Sequence, residues 1–121
     1  MLGRFLADEI TAGQYQQLVA LNQTSVVQIT SALIPWLRKS PNAAIINTVS
    51  ISATTGGSPG SSIYSATKAF VSTYTKALAR ELAPDNIRVN AVSPGTIATD
   101  FHKRYSNNEK LESTRKSIPL Q

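Results

Sequence analysis

Two short apolar runs, residues 43–49 (AAIINTV) and 87–92 (IRVNAV), constrain what this chain can fold into more than any other feature. Each is too short for a helix and carries β-branched residues, so each reads as a strand. The stretch between them, about 62–83, has the length and pattern of a helix. Strands joined through a helix run parallel, because the crossover returns the chain to the same end of the sheet. The first run is apolar enough to suit a strand buried on both faces.

The rest of the chain follows this α/β alternation. A first helix is expected to begin near Thr11, where Thr11 and Gln14 have the spacing of a capping box. Tyr15, Leu18, Asn22, Val26, Ile29, Leu33 and Leu37 then recur at three- and four-residue steps, marking one helix face, with Pro35 near its end. Residues 50–62 are rich in Ser, Thr and Gly and read as a loop. The second helix stops at Pro84, with Asp85 and Asn86 as its turn, and the second strand breaks at Ser93-Pro94-Gly95. Weak helical character returns between 106 and 116. The order is helix, strand, helix, strand and tail. Two strands alone make a poor sheet, so the pattern predicts part of something larger.

Its 121 residues are enough for one small domain, and its 41% hydrophobic and 16% charged residues place it among ordinary folded proteins. No apolar stretch is long enough to span a membrane, and Arg4, Asp8 and Glu9 interrupt any signal-peptide core, so a cytoplasmic location is expected. With no cysteine there is no disulfide and no thiolate zinc site, and a single histidine, His102, offers no metal set. The net charge of +5 gathers late, at Lys103, Arg104, Lys110, Arg115 and Lys116, without interleaved aromatics. That reads as a solvated or cofactor-facing surface, not a nucleic-acid site. Trp36 and Tyr74 read as packing residues.

Chemistry concentrates around Tyr64-Ser65-Ala66-Thr67-Lys68. Tyr64 and Lys68 lie four apart and share a helix face. A tyrosine hydroxyl is a poor acid or base at neutral pH, and a nearby ammonium makes the phenolate more accessible. Such a pair can exchange a proton with an alcohol or carbonyl. Alone, the spacing is equally that of an ordinary helix face. Its position adds weight: the pair follows a loop at the C-terminal end of a parallel strand, where open α/β sheets place ligands. Ser50 and Pro94-Gly95 fall at the same edge, either as site residues or as plain turn residues. Asn22, polar within an apolar stripe, reads from spacing alone as a structural hydrogen-bonder.

Taken together these residues resemble the short-chain dehydrogenase/reductase family. Leu21-Asn22 is similar to its helix motif, Asn47-Thr48-Val49-Ser50 to its strand motif ending in serine, and Tyr64 to Lys68 to its Tyr-x-x-x-Lys motif. Leu82-Ala83-Pro84, then Ile87 through Gly95, and Thr96-Ile97-Ala98-Thr99, look like its next block. The order and separations together are far more specific than any one motif. The resemblance implies a Rossmann-like, doubly wound parallel sheet and an oxidoreductase that interconverts an alcohol and a carbonyl with NAD or NADP. It implies Tyr64 as general acid and base, Lys68 as its cationic helper and ribose ligand, Ser50 as the group that orients the substrate oxygen, and Asn22 as the holder of a relay water. Tyr64, Lys68, Pro94, Gly95, Ile97 and Thr99 would contact the cofactor. The long helices imply a homo-oligomer of the complete protein.

The chain departs from the family in two respects. Ser50 precedes Tyr64 by one position more than is usual and Ser52 by one fewer; the strand context favours Ser50, with Ser52 as the alternative. The glycine-rich turn that receives the pyrophosphate is missing, as are the residue that selects between the two cofactors and the final strand. The expectation is therefore a catalytic half lacking its N-terminal nucleotide-binding half, with little activity by itself. The other reading is a non-catalytic module that pairs with a full-length relative. Phe101 and Tyr105 would line a substrate pocket, and the substrate itself cannot be read from these residues.

Overall fold

The computed structural model describes residues 3–97, 99 and 108–119; Phe101, His102, Lys103, Arg104 and Tyr105 lie outside the described residues. Helix α1 (Ala12–Val19) runs through a π-turn (Ala20–Thr24) into α2 (Ser25–Leu37). Then come β1 (Ala44–Thr48), a short α3 (Ser52–Thr55), α4 (Ser62–Glu81), a 3-10 turn (Ala83–Asp85), β2 (Arg88–Val92) and α5 (Asn108–Ser117). The α/β order expected from the sequence is present. The π-turn is new, and α3 occupies ground that reads as loop.

Thr11 caps α1 as its spacing predicts. Its hydroxyl accepts from the Gln14 amide at 3.2 Å, and the Gln14 side chain accepts from the Thr11 amide at 2.9 Å. At the other end of the pattern, Asn86 adopts the left-handed conformation (φ 55°) that turns the chain into β2.

β1 and β2 pair in parallel, Ala44 opposite Arg88 and Thr48 opposite Val92. The backbone bonding continues past both strands, from Val49 N to Val92 O at 2.8 Å and from Ile51 N to Pro94 O at 3.1 Å. These two bonds lock together the residues that leave the sheet. Ser50 and Pro94 are thereby held at one edge.

The core lies where α4 packs on the strands. Leu78, Leu82, Ala43, Ile87 and Val89 are buried there, and Ile34, Leu37, Ile45 and Tyr74 pack around them. A second buried cluster, Leu18, Asn22, Thr67 and Val71, forms where α1 and the π-turn lie against α4. Among the described residues, Arg38 meets Asp85 at 2.8 Å and Arg115 meets Glu112 at 2.9 Å, both near the solvent.

The structure corrects three expectations. Of the apolar stripe of the first helix, Leu18 and Asn22 are buried, Val26 is half-buried and Leu37 packs against the core, but Tyr15, Ile29 and Leu33 are exposed, and Thr30 and Ile34 face the protein instead. A π-turn holds more residues per turn than an α-helix, so beyond it the inward row moves by one position. β1 is not buried on both faces: Ile45 and Asn47 are half-buried while Ala44, Ile46 and Thr48 are exposed, Ile46 by 67%. Both α2 and α4 cover the same face, and no described element covers the other. Trp36 is 69% exposed, its ring met by the Lys39 ammonium at 5.0 Å, so it lies at the surface and not in the core. Among the described residues no helix is long and apolar enough to cross a membrane, and no cluster of three metal-ligating side chains occurs.

Leu82, 1% exposed, joins α4 to both strands. Leu82→Ala is expected to destabilise the fold by about 3 kcal/mol, read as a fall in the urea midpoint at unchanged slope.

Candidate active site

Among the described residues, the side chains singled out from the sequence gather around the start of α4. The loop before it turns at three glycines of positive φ, Gly56 (79°), Gly57 (74°) and Gly60 (78°). Gly57 is required twice over. A side chain there would be strained by φ, and its Cβ would fall 3.1 Å from Ser61 Cβ and Ser65 Oγ and 3.2 Å from Ser52 Cβ. Ser65 secures the loop by donating its hydroxyl to the Gly56 carbonyl at 2.8 Å.

This packing presents Tyr64, half-buried, to the space between the loop and the strand ends. Lys68 lies one helical turn further on. Its Nζ is 6.0 Å from the centre of the Tyr64 ring and donates to the Thr48 carbonyl at 2.9 Å. The tyrosine helix is thus tied to the end of β1 by the lysine. Partial burial holds the Lys68 ammonium below the ordinary lysine value, because desolvation disfavours the charged form.

Ser50 and Ser52 are neighbours as well as rivals. Ser50 Oγ accepts from the Ser52 amide at 3.2 Å and from the Ser52 hydroxyl at 2.9 Å. Ser52 is buried on α3 and Ser50 is half-buried at the strand end. Both line one cavity of about 380 Å³, together with Tyr64, Gly95, Thr96 and Arg4. A phenol and two linked hydroxyls facing one cavity can bind and protonate an oxygen placed there.

Asn22 sits in the π-turn, 7% exposed. Its Nδ2 donates to Thr67 Oγ1 at 3.1 Å, and that hydroxyl donates in turn to the Tyr64 carbonyl at 2.7 Å. Asn22 therefore reaches the residue beside Lys68 without bonding to Lys68. The structural hydrogen bond read from its spacing is present, and it falls where the helix departs from α geometry.

Of the expected cofactor-contacting residues, Gly95 faces open space: a Cβ there would meet nothing within 4 Å. Pro94 is half-buried, its carbonyl held by Ile51. Ile97, 59% exposed, and Thr99, exposed, do not line the cavity. Two residues escaped the sequence reading. Thr67 is visible there only as one of three small residues between Tyr64 and Lys68. Arg4 carries no local pattern and reaches the cavity from the chain's start.

Thr67→Val keeps shape but removes the acceptor of Asn22. It is expected to destabilise by about 2 kcal/mol, with Thr67→Ser near neutral and most of the loss absent in an Asn22→Ala background. A second outcome concerns pH. Because the folded chain binds the Lys68 proton less tightly than the unfolded chain, stability attributable to this group rises as pH climbs through its folded value toward the ordinary one. Carbon-detected titration of Lys68 Cε should show a midpoint below that of the exposed lysines, and Lys68→Met should flatten the alkaline rise in stability.

Comparison with known proteins follows the same residues. Residues 2–110 match the family model described as short chain dehydrogenase. An uncharacterized short-chain type dehydrogenase/reductase of Sinorhizobium fredii is 40% identical over 113 residues, 93% of this chain and 45% of the relative. A 3-oxoacyl-(acyl-carrier-protein) reductase of Chlamydia pneumoniae is 42% identical over 106 residues, 88% of this chain and 42% of the relative. An NADH-dependent reductase solved in complex with NAD superposes with a TM-score of 0.76 at 36% identity, over 78% of this chain and 41% of that one. The chain spans less than half the length of each.

Proposed function

Since the chain belongs to the short chain dehydrogenase family, we propose that its cavity is the alcohol–carbonyl site of a nicotinamide-dependent oxidoreductase. One observation carries this reading: the Tyr64 hydroxyl and the linked Ser50 and Ser52 hydroxyls share one cavity, with the Lys68 ammonium a helical turn behind. When bound, the nicotinamide supplies or accepts the hydride. Tyr64 gives a proton to the substrate oxygen in reduction and takes it back in oxidation. Ser50 holds that oxygen, and Ser52 fixes Ser50 through its own hydroxyl. Lys68 provides the positive field beside the phenol and a donor for ribose hydroxyls. Asn22 acts through Thr67 on the carbonyl of Tyr64, which makes it a positioning residue; a water held on the way to Lys68 is the further role we assign it.

The residues present fit the nicotinamide end of such a cofactor. Gly95 leaves backbone open to close approach, and Pro94, Ile97 and Thr99 follow it along the same exposed segment. The sequence holds neither a glycine-rich pyrophosphate turn nor the residue that selects between NAD and NADP, so the reading covers both cofactors. On this reading residues 1–121 form the catalytic half of a larger doubly wound domain, working in the cytoplasm on a small alcohol or carbonyl. The uncovered Ile46 face of β1 and the partial span of its relatives support that reading. The exposed Ile29, Leu33 and Trp36 of α2 support an oligomer of the complete protein. They equally favour a second reading, a non-catalytic module whose α2 docks on a full-length relative.

Tyr64→Phe is expected to lower kcat by about 10²- to 10⁴-fold with the fold intact, the range for loss of a general acid–base. The measurement is nicotinamide absorbance in the protein expressed from its complete reading frame, with the isolated 121-residue chain alongside and expected to show little turnover. Undiminished kcat in Tyr64→Phe removes the dehydrogenase reading. Co-elution of the isolated chain with a full-length relative, without turnover, favours the module.

A further inference from the structure

Among the described residues, Arg4 is the only charged one that lines the Tyr64 cavity. Its Nε is fully buried and has no hydrogen-bond partner among the described residues. The side chain is half-buried, and neither described ion pair involves it. A guanidinium N–H removed from water without an acceptor is destabilising, and no carboxylate among the described residues lines the cavity to compensate.

Its position is built, not incidental. The Phe5 amide donates to the Gly60 carbonyl at 3.0 Å, which clips the start of the chain against the loop before α4. Gly60 has φ +78°, and a Cβ there would fall 3.0 Å from Arg4 Cβ. The bare glycine is what allows the arginine backbone to come this close. Ser50 and Tyr64 line the same cavity from the strand end and the helix.

We propose that Arg4 is a specificity residue that binds a carboxylate on the substrate, selecting alcohols or carbonyls that bear an anionic group over neutral ones. A carboxylate takes two parallel N–H bonds from the guanidinium fork. It thereby supplies the counter-charge that the cavity's described lining lacks and fixes the far end of a molecule whose oxygen lies at Ser50 and Tyr64. This inference rests on the reading of the cavity as a substrate site.

The test uses the complete protein, with 3-hydroxybutyrate and its uncharged methyl ester as probes. Saturation-transfer NMR measures binding, and nicotinamide absorbance measures turnover. The expected result is at least tenfold tighter binding of the acid than of the ester, abolished in Arg4→Met and only partly restored in Arg4→Lys, which keeps the charge but not the fork, with circular dichroism unchanged in both. Equal binding of acid and ester, or an acid preference that survives in Arg4→Met, overturns the proposal. If Arg4→Met instead weakens NADH binding tenfold and leaves the preference intact, the guanidinium serves the cofactor, and the proposal is likewise wrong. Arg4-dependent binding without any Tyr64-dependent turnover keeps the anion subsite and rejects the dehydrogenase reading, so the two fail separately.

Discussion

One buried hydrogen bond, from Asn22 Nδ2 to Thr67 Oγ1 at 3.1 Å, organises the helical layer. It joins two helices at positions 45 residues apart, and both partners are nearly inaccessible to water. In such a place a polar pair must be satisfied or it destabilises the fold. Satisfying it fixes how the π-turn sits against α4, and Thr67 passes the constraint on by donating to the Tyr64 carbonyl. The side chains flanking Thr67 on α4 are those that face the cavity and the strand end. A π-turn at this contact accords with the tendency of such distortions to occur at functional sites.

The sheet depends on the same helix from its other end. Leu78 and Leu82 on the last turns of α4 bury against Ala43, Ile87 and Val89. Near its first turn, Lys68 reaches the Thr48 carbonyl. Helix α4 is therefore fastened to β1 and β2 by apolar contact at one end and by a charge-assisted bond at the other. Between these points the backbone bonds from Val49 and Ile51 to Val92 and Pro94 hold the two strand exits in register. Ser50 cannot shift relative to Pro94 and Gly95 without breaking them.

The parts legible in the sequence were those with a local signature. The Thr11 and Gln14 capping box, the two strand runs, the stop at Pro84 and the Tyr64–Lys68 spacing each depend on residues a few positions apart, and the structure has each of them. What escaped depended on partners distant in sequence. The inward row of α2 moved from Ile29 and Leu33 to Thr30 and Ile34 because a π-turn intervened, and no spacing in the sequence announces a π-turn. The short helix α3 lies in a Ser- and Thr-rich stretch whose composition favours turns, and it forms against α4. Arg4 could not be assigned to the cavity because its place is set by Gly60, far along the chain. Family resemblance pointed to Tyr64, Lys68, Ser50 and Asn22; the fold showed which other side chains stand beside them.

The one-sided sheet has a consequence for the physical behaviour of these residues. β2 occupies one edge of β1, and among the described residues no strand occupies the other. That edge offers the backbone donors and acceptors of Ala-Ile-Ile-Asn-Thr, with Ile46 projecting from the uncovered face beside it. Natural edges are blunted by lysine, proline or a bulge, and this one has none of them. It is a template for another strand. Wherever these residues stand apart from a neighbouring strand, as on a chain still emerging from the ribosome, the same edge that would extend a sheet can recruit a second copy, and self-association then competes with folding in proportion to concentration.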